Sequence, residues 1–257
     1  MLELDNWFTV EKIDEDTYVI SEYKHREETH CYLLIGKEKA LLIDTGLGVA
    51  NIKEVVNVIT ELPIMVAVTH VHWDHIGGHK YFDNMAVHGN EKGWFMGNFP
   101  LPLEIVKRNL LDENCEFPES FNVENYEIFH GIPQLIMCDN DEIDLGERVI
   151  KVVHTPGHSP GHCCFYEEQR QYLYSGDLIY KGCLDMFYPS TNPCEFAKSI
   201  KKVTGLSVGK ILPGHHDLDV PVQMIFKIDE AFSILDKSGK LKQGEGIFEF
   251  GDFQIHL

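Results

Sequence analysis

The stretch THVHWDHIGGH, from Thr69 to His79, holds four histidines and one aspartate within eleven positions. Neutral imidazole and carboxylate are ligands that Zn²⁺ prefers, at about 2.0–2.2 Å. In extended or tightly turning backbone, alternate residues point the same way, so His70 and His72 can face one point, and Asp74 with His75 an adjacent one. Four ligands would saturate one tetrahedral ion, so the spacing indicates two metals that take further ligands from elsewhere.

The rest of the chain offers three further ligands at the ends of predicted strands. They are His158 in HTPGHSPGH, Asp177 in SGD and His215 in LPGHH. Structural zinc sites are closed and rich in cysteine, whereas none of these ligands is a cysteine and carboxylates are mixed in. The ligand types therefore favour an open catalytic site over the non-enzymatic alternative, a metal-binding sensor or structural module.

Short apolar runs that end in turn residues must position these side chains. The predicted strands are Thr17–Ser21, Cys31–Gly36, Ala40–Gly46, Ile64–His70 and, later, the segments RVIKVVHTPGH, HCCFYEE, QYLYSGDLIY and KILPGHH. The predicted helices are Val49–Thr60, Cys194–Val203 and a segment from Val220 that ends near Gly239, followed by a closing strand or hairpin. Each half has a strand ending in an aspartate turn and another ending in a histidine loop, which suggests two similar β/α halves.

No linker-like segment divides the chain, so we expect one domain over residues 1–257. Residues 89–133 interrupt the strand and helix rhythm and are rich in aromatic residues and proline. A long insertion of this kind is often a lid or a pocket wall, and packing on the surface is the alternative.

The formal net charge is −19, which disfavours nucleic acids and anionic membranes as partners because both repel an acidic surface. The N-terminus shows no signal-peptide pattern, and no apolar run approaches the roughly 20 residues of a membrane span. The seven cysteines show no CxxC spacing, which fits reduced thiols better than a disulfide framework. We therefore expect a cytoplasmic protein that acts on a small molecule; the sequence leaves its oligomeric state open, with a homodimer among the options.

The motifs together resemble the metallo-β-lactamase superfamily. HVHWDH fits the HxHxDH signature of that superfamily, and TPGHS, SGD and PGH follow in its order. The resemblance implies an α/β fold, the four-layer αββα sandwich, with a dinuclear site at one edge of its sheets. It also implies that His70, His72 and His158 hold one metal, that Asp74, His75 and His215 hold the second, and that Asp177 bridges them. The expected cofactors are two divalent metal ions, Zn²⁺ first, with Mn and Fe as alternatives.

The superfamily contains many chemistries, so the fold alone names no substrate. Flavodiiron-type members carry Glu where this chain has His72, and true β-lactamases generally lack a bridging carboxylate at the position of Asp177. Only one helix and one strand are predicted after His215, where glyoxalase II has a longer helical segment. The phrases DTGLG, THVHWDH, IDLGER, SGDLIYKG and KILPGH resemble the acyl-CoA thioesterases of the superfamily. The acyl-homoserine lactonases are a neighbouring branch.

The resulting prediction is a hydrolase that attacks the carbonyl of a thioester, ester or lactone with a metal-bridging hydroxide. β-Lactam or phosphodiester hydrolysis on the same site is the alternative. Asp74 is expected to orient the hydroxide. Tyr180, three residues after Asp177, matches a tyrosine that contacts the substrate carbonyl in the lactonases, and packing at a strand edge is its alternative role. The sequence shows no GxSxG motif for a serine nucleophile.

Other histidines near the predicted ligands are expected to support or pack against them rather than bind metal. These residues are His79, His154, His162 and His216. Asp44, in the DTG turn, is expected to orient the ligand loop through hydrogen bonds. The Gly77–Gly78 pair is expected to let two backbone segments approach closely.

Overall fold

A computed structural model describes residues 7–111 and 115–257. The chain is a mixed α/β protein, as predicted, and it divides into two compact units. The first unit comprises Met1–Met137 and Asp144–Arg148, and the second comprises Cys138–Ile143 and Val149–Leu257. Each unit contains its own sheet, and the prediction of one domain over 1–257 stays a prediction.

The first unit is built on a seven-stranded sheet whose spatial order follows the chain. The first to the fourth strand pair antiparallel with their neighbours. The fourth to the seventh strand pair parallel. The strands are β1 (Thr9–Asp14), β2 (Thr17–Ser21), β3 (His30–Ile35), β4 (Ala40–Ile43), β5 (Ile64–Ala67), β6 (Met85–His88) and β7 (Leu135–Met137). Strands β4 and β5 are almost entirely apolar and buried, as parallel strands covered on both faces usually are.

Helix α1 (Ile52–Ile59) joins β4 to β5 and covers one face of this sheet. The side chain of Asn51 caps it by accepting a hydrogen bond from the backbone N–H of Lys53. Its residues Ile52, Val55 and Val56 recur at helical spacing and pack with the sheet residues in one apolar cluster. The predicted helix is therefore confirmed, with its first turn starting three residues later.

Residues 89–133 lie between β6 and β7 and contain helix α3 (Leu103–Leu110). Val106 and Leu110 on this helix are fully buried in a second apolar cluster with Trp7, Trp73 and Tyr126. Much of the aromatic content of the segment therefore packs into the first unit. Its role as a lid or pocket wall stays a prediction.

The second unit carries a five-stranded and a three-stranded sheet. The five-stranded sheet has the order β13 (Lys210–Pro213), β11 (Tyr172–Gly176), β10 (Cys163–Glu167), β9 (Val149–His154), β8 (Glu142–Asp144). The small sheet has the order β12 (Cys183–Asp185), β15 (Gln254–His256), β14 (Ile247–Glu249). Helices α4 (Pro193–Val203) and α5 (Met224–Lys237) share one apolar cluster with both sheets.

The predicted late elements are found, most of them with shorter bounds, whereas α4 begins one residue earlier than predicted. The strand predicted in QYLYSGDLIY ends at Gly176, because the chain turns at Asp177, and the last helix begins at Met224. The closing hairpin is β14 with β15, which pair antiparallel. Within the described residues, no helix combines the length and apolar composition that a membrane-spanning helix needs.

Glu22, directly after β2, is fully buried and holds the loop that follows β4. Its carboxylate accepts hydrogen bonds from the Trp7 indole at 2.6 Å and from the backbone N–H of Leu47 at 2.8 Å. Gly46 has φ +71°, and a Cβ there would lie 2.1 Å from the Glu22 carboxylate. Burial raises the pKa of Glu22 from 4.5 to about 7, although the two hydrogen bonds oppose that shift.

This pKa predicts a pH-dependent stability that Glu22→Gln removes. Between pH 4.5 and about 7 the folded chain keeps a proton on Glu22 that the unfolded chain has released, so the free energy of unfolding falls as pH rises through this window. At about 1.4 kcal/mol per pKa unit, the shift from 4.5 to about 7 is worth on the order of 3 kcal/mol. Denaturant unfolding across this pH range should show a shallower fall in the variant. Glu147→Gln, at an exposed ion pair with Lys37, is the control, and equal slopes in all three proteins would contradict the prediction.

Candidate metal site

The first ligand set lies on the loop that leaves β5 and enters the short helix α2 (Trp73–Ile76). His70 and His75 are fully buried and Asp74 is almost so. His70 Nε2 lies 2.9 Å from His72 Nδ1, and His75 Nε2 lies 3.6 Å from Asp74 Oδ2. The turn thus brings the four predicted ligands of this unit together as one compact His/Asp cluster.

The Asp44 carboxylate, just after β4, fixes this loop. Its Oδ1 accepts a hydrogen bond from the Thr69 backbone N–H at 2.7 Å, and its Oδ2 accepts one from the Thr69 hydroxyl at 2.8 Å. Oδ2 also lies 2.9 Å from His75 Nδ1. Because β4 and β5 are parallel neighbours, their C-terminal ends meet at one sheet edge, which places Asp44 beside the ligand loop. The predicted orienting role of Asp44 is confirmed.

These hydrogen bonds select the histidine tautomers. His75 donates its Nδ1–H to the Asp44 carboxylate, which leaves the lone pair on Nε2 for a metal. The Thr69 hydroxyl donates to Asp44, so it can accept from His70 Nδ1, 3.0 Å away. His70 then also presents Nε2 as its lone-pair nitrogen. Thr69 directly precedes the HxHxDH motif, yet only the structure shows this role.

Two backbone contacts hold the same loop from other directions. Glu91, fully buried after β6, accepts a hydrogen bond from the Val71 N–H at 2.5 Å. The Gly77 N–H donates to the Gly46 carbonyl at 2.8 Å, and a Cβ on Gly77 would lie 2.3 Å from the Leu47 carbonyl. The predicted close backbone approach at Gly77 is confirmed. Glu91, in contrast, carries no sequence signal that points to the ligand loop.

The second ligand set lies at one edge of the five-stranded sheet, where β9, β11 and β13 end. His158, Asp177 and His215 follow these strands and are all buried. Asp177 Oδ2 lies 3.3 Å from His158 Nε2, and its Oδ1 lies 3.3 Å from His215 Nε2. One carboxylate therefore faces a histidine with each of its oxygens.

His162 and Gly157 support this second set. His162 Nε2 accepts a hydrogen bond from the Asp177 backbone N–H at 3.1 Å, and its Nδ1 lies 2.9 Å from the Thr155 hydroxyl. Gly157 has φ +139°, and a Cβ there would lie 2.3 Å from the backbone nitrogen of Phe196 on α4. Only glycine therefore lets the TPGHS loop lie against the first turn of α4.

Three further histidines contact other parts of the chain, and that they do not bind metal stays a prediction. His79 is fully buried between the rings of Phe95 and Phe129, and burial lowers its pKa from 6.5 to about 3, so it packs as a neutral ring. His154 Nε2 lies 3.1 Å from the Pro160 carbonyl oxygen. His216, at φ +63°, lies beside the Tyr180 ring.

Tyr180 is buried in the apolar cluster of the second unit, with its ring 5.7 Å from that of His215. Its hydroxyl donates a hydrogen bond to the Cys183 carbonyl oxygen. The side chain is thus next to one predicted ligand, and its role as a donor to the substrate stays a prediction.

Two aromatic side chains of the 89–133 segment adjoin the first ligand set. The Trp94 ring lies nearly parallel to that of His72, with centroids 6.2 Å apart and planes 13° apart. The Phe99 ring meets His72 edge-on at 6.1 Å. The composition of the segment sets it apart in the sequence, but no local pattern singles out these two residues.

The donor sets fit divalent metal ions. Both consist of imidazole nitrogens and carboxylate oxygens, the ligand types of zinc, manganese and non-haem iron sites. In the first set, the Asp44 carboxylate accepts a hydrogen bond from His75 Nδ1, and the other ring nitrogen, Nε2, faces the cluster. Metal-bound histidines usually have such a carboxylate behind them. The arrangement can hold and orient metal ions at the edges of two rigid sheets.

The chain belongs to the metallo-β-lactamase superfamily, whose sequence profile matches residues 26–215. Human acyl-coenzyme A thioesterase MBLAC2 is 30% identical to it over 230 residues, which cover 81% of each chain.

Solved structures agree on the fold. A metallo-β-lactamase from Pontibacter korlensis has a TM-score of 0.66 at 18% identity and covers 88% of this chain and 99% of its own. A metallo-β-lactamase family protein from Thermus thermophilus has the same TM-score at 20% identity and covers 88% of this chain and 82% of its own. The predicted superfamily is confirmed, and the named relative lies in the predicted thioesterase branch.

Asp44→Asn should weaken metal binding. Asparagine keeps one acceptor oxygen and turns an NH₂ group toward Thr69 or His75, where donors already point. Loss of such a supporting carboxylate typically lowers metal affinity by about 10–100-fold. Competition with a chromophoric chelator measures this affinity for zinc. Asp252→Asn is the matched control, because that exposed carboxylate pairs with Lys227 at the surface. Wild-type affinity in Asp44→Asn would rule out the supporting role.

Proposed function

We propose that this chain is a metal-dependent hydrolase of thioesters, with acyl-coenzyme A as the first candidate substrate. The observation that carries the proposal is the 30% identity, over 81% of both chains, to a relative named as an acyl-coenzyme A thioesterase. The two buried His/Asp sets support it, since each brings together side chains that could bind metal and that belong to the family motif.

The seven predicted ligands would hold a pair of divalent ions, Zn²⁺ first among the candidates. His70, His72 and His158 would bind one ion, Asp74, His75 and His215 the other, and Asp177 both. Such ions supply a water of pKa near 7 as nucleophile and a Lewis acid for the carbonyl oxygen. The two contacts of the Asp177 carboxylate, one on each oxygen, support its bridging role.

The chain's own side chains contribute positioning and proton handling. Asp74 would accept a hydrogen bond from the attacking water and align it with the carbonyl carbon. Asp44 and Thr69 keep the Nε2 lone pairs of His75 and His70 directed at the cluster. Trp94 and Phe99, next to His72, would supply an apolar wall for the acyl group. A small molecule is thus the proposed partner, and the homodimer remains an option.

A panel of substrates tests the proposal. We expect kcat/KM to be higher for thioesters than for β-lactams and phosphodiesters, with lactones and oxygen esters in the same assay. Whether coenzyme A itself is the leaving group needs a separate test, because coenzyme A carries phosphate groups that a protein with a net charge of −19 repels. Comparison of kcat/KM for thioesters with the same acyl chain, on coenzyme A and on an uncharged thiol, provides this test. A clear preference for a phosphodiester or a β-lactam would refute the assignment.

Tyr180→Phe tests the tyrosine separately. In the proposed role, the Tyr180 hydroxyl would turn from the Cys183 carbonyl to the substrate oxyanion. Loss of one oxyanion donor typically lowers kcat by about 10²–10³-fold, or by about tenfold if a metal shares the charge. KM and metal content should change little. Tyr166→Phe is the matched control, because its hydroxyl also donates to a backbone carbonyl, that of Ser207, at 2.9 Å. If both variants keep full kcat, Tyr180 is a packing residue.

A further inference from the structure

A third set of potential metal ligands lies on the three-stranded sheet of the second unit. Cys183 and Asp185 are two residues apart on β12, so their side chains leave the same face. Strand β15 pairs with β12 in parallel, in a register that sets His256 opposite Asp185. The sheet geometry therefore brings a thiol, a carboxylate and an imidazole to one face.

The three donor atoms converge. Cys183 Sγ lies 3.5 Å from Asp185 Oδ1, and His256 Nδ1 lies 3.1 Å from the same oxygen. All three atoms lie within 4.8 Å of one another. A tetrahedral zinc ion with bonds of about 2.0–2.3 Å separates its ligand atoms by roughly 3.3–3.8 Å. Small side-chain adjustments would thus suffice to place the three atoms around one ion.

The surroundings fix the ligands but leave one side open. The Phe187 ring stacks on His256, with centroids 4.0 Å apart and planes 27° apart, which limits rotation of the imidazole. The side chains of His256 and Asp185 remain 28% and 34% exposed, so a water molecule can reach a fourth coordination position. Thiolate and imidazole select zinc, cobalt and similar ions over magnesium and calcium.

We propose that Cys183, Asp185 and His256 bind one zinc-class transition-metal ion that cross-links β12 and β15. On binding, the Cys183 thiol releases its proton to solvent, and the His256 proton moves from Nδ1, which faces Asp185, to Nε2, which frees the Nδ1 lone pair with no change of oxidation state. The site shares no residue with the seven ligands proposed for hydrolysis. Its function would be to fasten strand β15, because an ion that binds the folded chain alone stabilises that fold.

Cobalt substitution distinguishes this site from the hydrolytic one. None of the seven other ligands is a cysteine, so a thiolate-to-Co²⁺ charge-transfer band in the near ultraviolet reports a cysteine ligand alone. We expect this band when reduced, metal-free protein is titrated with Co²⁺, and we expect Cys183→Ser to abolish it. Cys194→Ser and Cys138→Ser, at exposed cysteines, should retain it.

Metal counting gives an independent readout. Elemental analysis after zinc loading and gel filtration should give about one ion per chain less in Cys183→Ser and in His256→Gln than in the wild type. Far-ultraviolet circular dichroism checks that the variants fold. No charge-transfer band in the wild type, a band that survives Cys183→Ser, or equal zinc content in all folded variants would each overturn the proposal, whatever the number of ions at the hydrolytic site.

Discussion

The Asp44 carboxylate accepts hydrogen bonds from the Thr69 backbone, the Thr69 hydroxyl and the His75 ring, and the first ligand set depends on all three. Asp44 itself sits at φ +60°, a conformation that aspartate tolerates better than most residues. The parallel pairing of β4 and β5 brings this carboxylate to the same sheet edge as the ligand loop. A buried carboxylate is costly without donors, so the loop and Asp44 stabilise each other. In the loop that follows β4, the buried Glu22 carboxylate likewise accepts a hydrogen bond from the Leu47 backbone N–H.

In the second unit, other residues hold the predicted ligands in place. Asp177, like the first ligand set, follows a strand of a central sheet, and here a histidine rather than a carboxylate supports the backbone: His162 accepts the Asp177 N–H. Gly157 lets the His158 loop lie against α4, which fixes it to an element with a buried apolar face. Both units therefore place the predicted ligands in loops at strand ends. The sequence of such a loop can vary, while the sheet beneath it holds the ends of the loop in place.

The sequence predicts that these histidines and aspartates lie at strand ends, because they stand in a spaced motif and the strands before them, such as β4, are continuous apolar runs. It also predicts α1 and α4, whose apolar spacing is helical. It misses β1, β6, β7, β8 and β12. Strands β7, β8 and β12 have three residues each, too few to show a period. It equally misses the roles of Glu91 and Thr69, since a hydrogen bond between residues distant in sequence leaves no local pattern. The proximity of Cys183, Asp185 and His256 depends on the register of β12 with β15, which cannot be read from the sequence.

In the proposed function, two His/Asp sets, oriented by buried supporting residues, bind the metals of a hydrolase. Anomalous diffraction from crystals of zinc-loaded protein, recorded on both sides of the zinc absorption edge, tests it most directly. We expect two strong peaks, one beside His70 and His72 and one beside Asp74 and His75, with Asp177 next to both. Zinc found at neither pair of residues, in fully loaded protein, would contradict it.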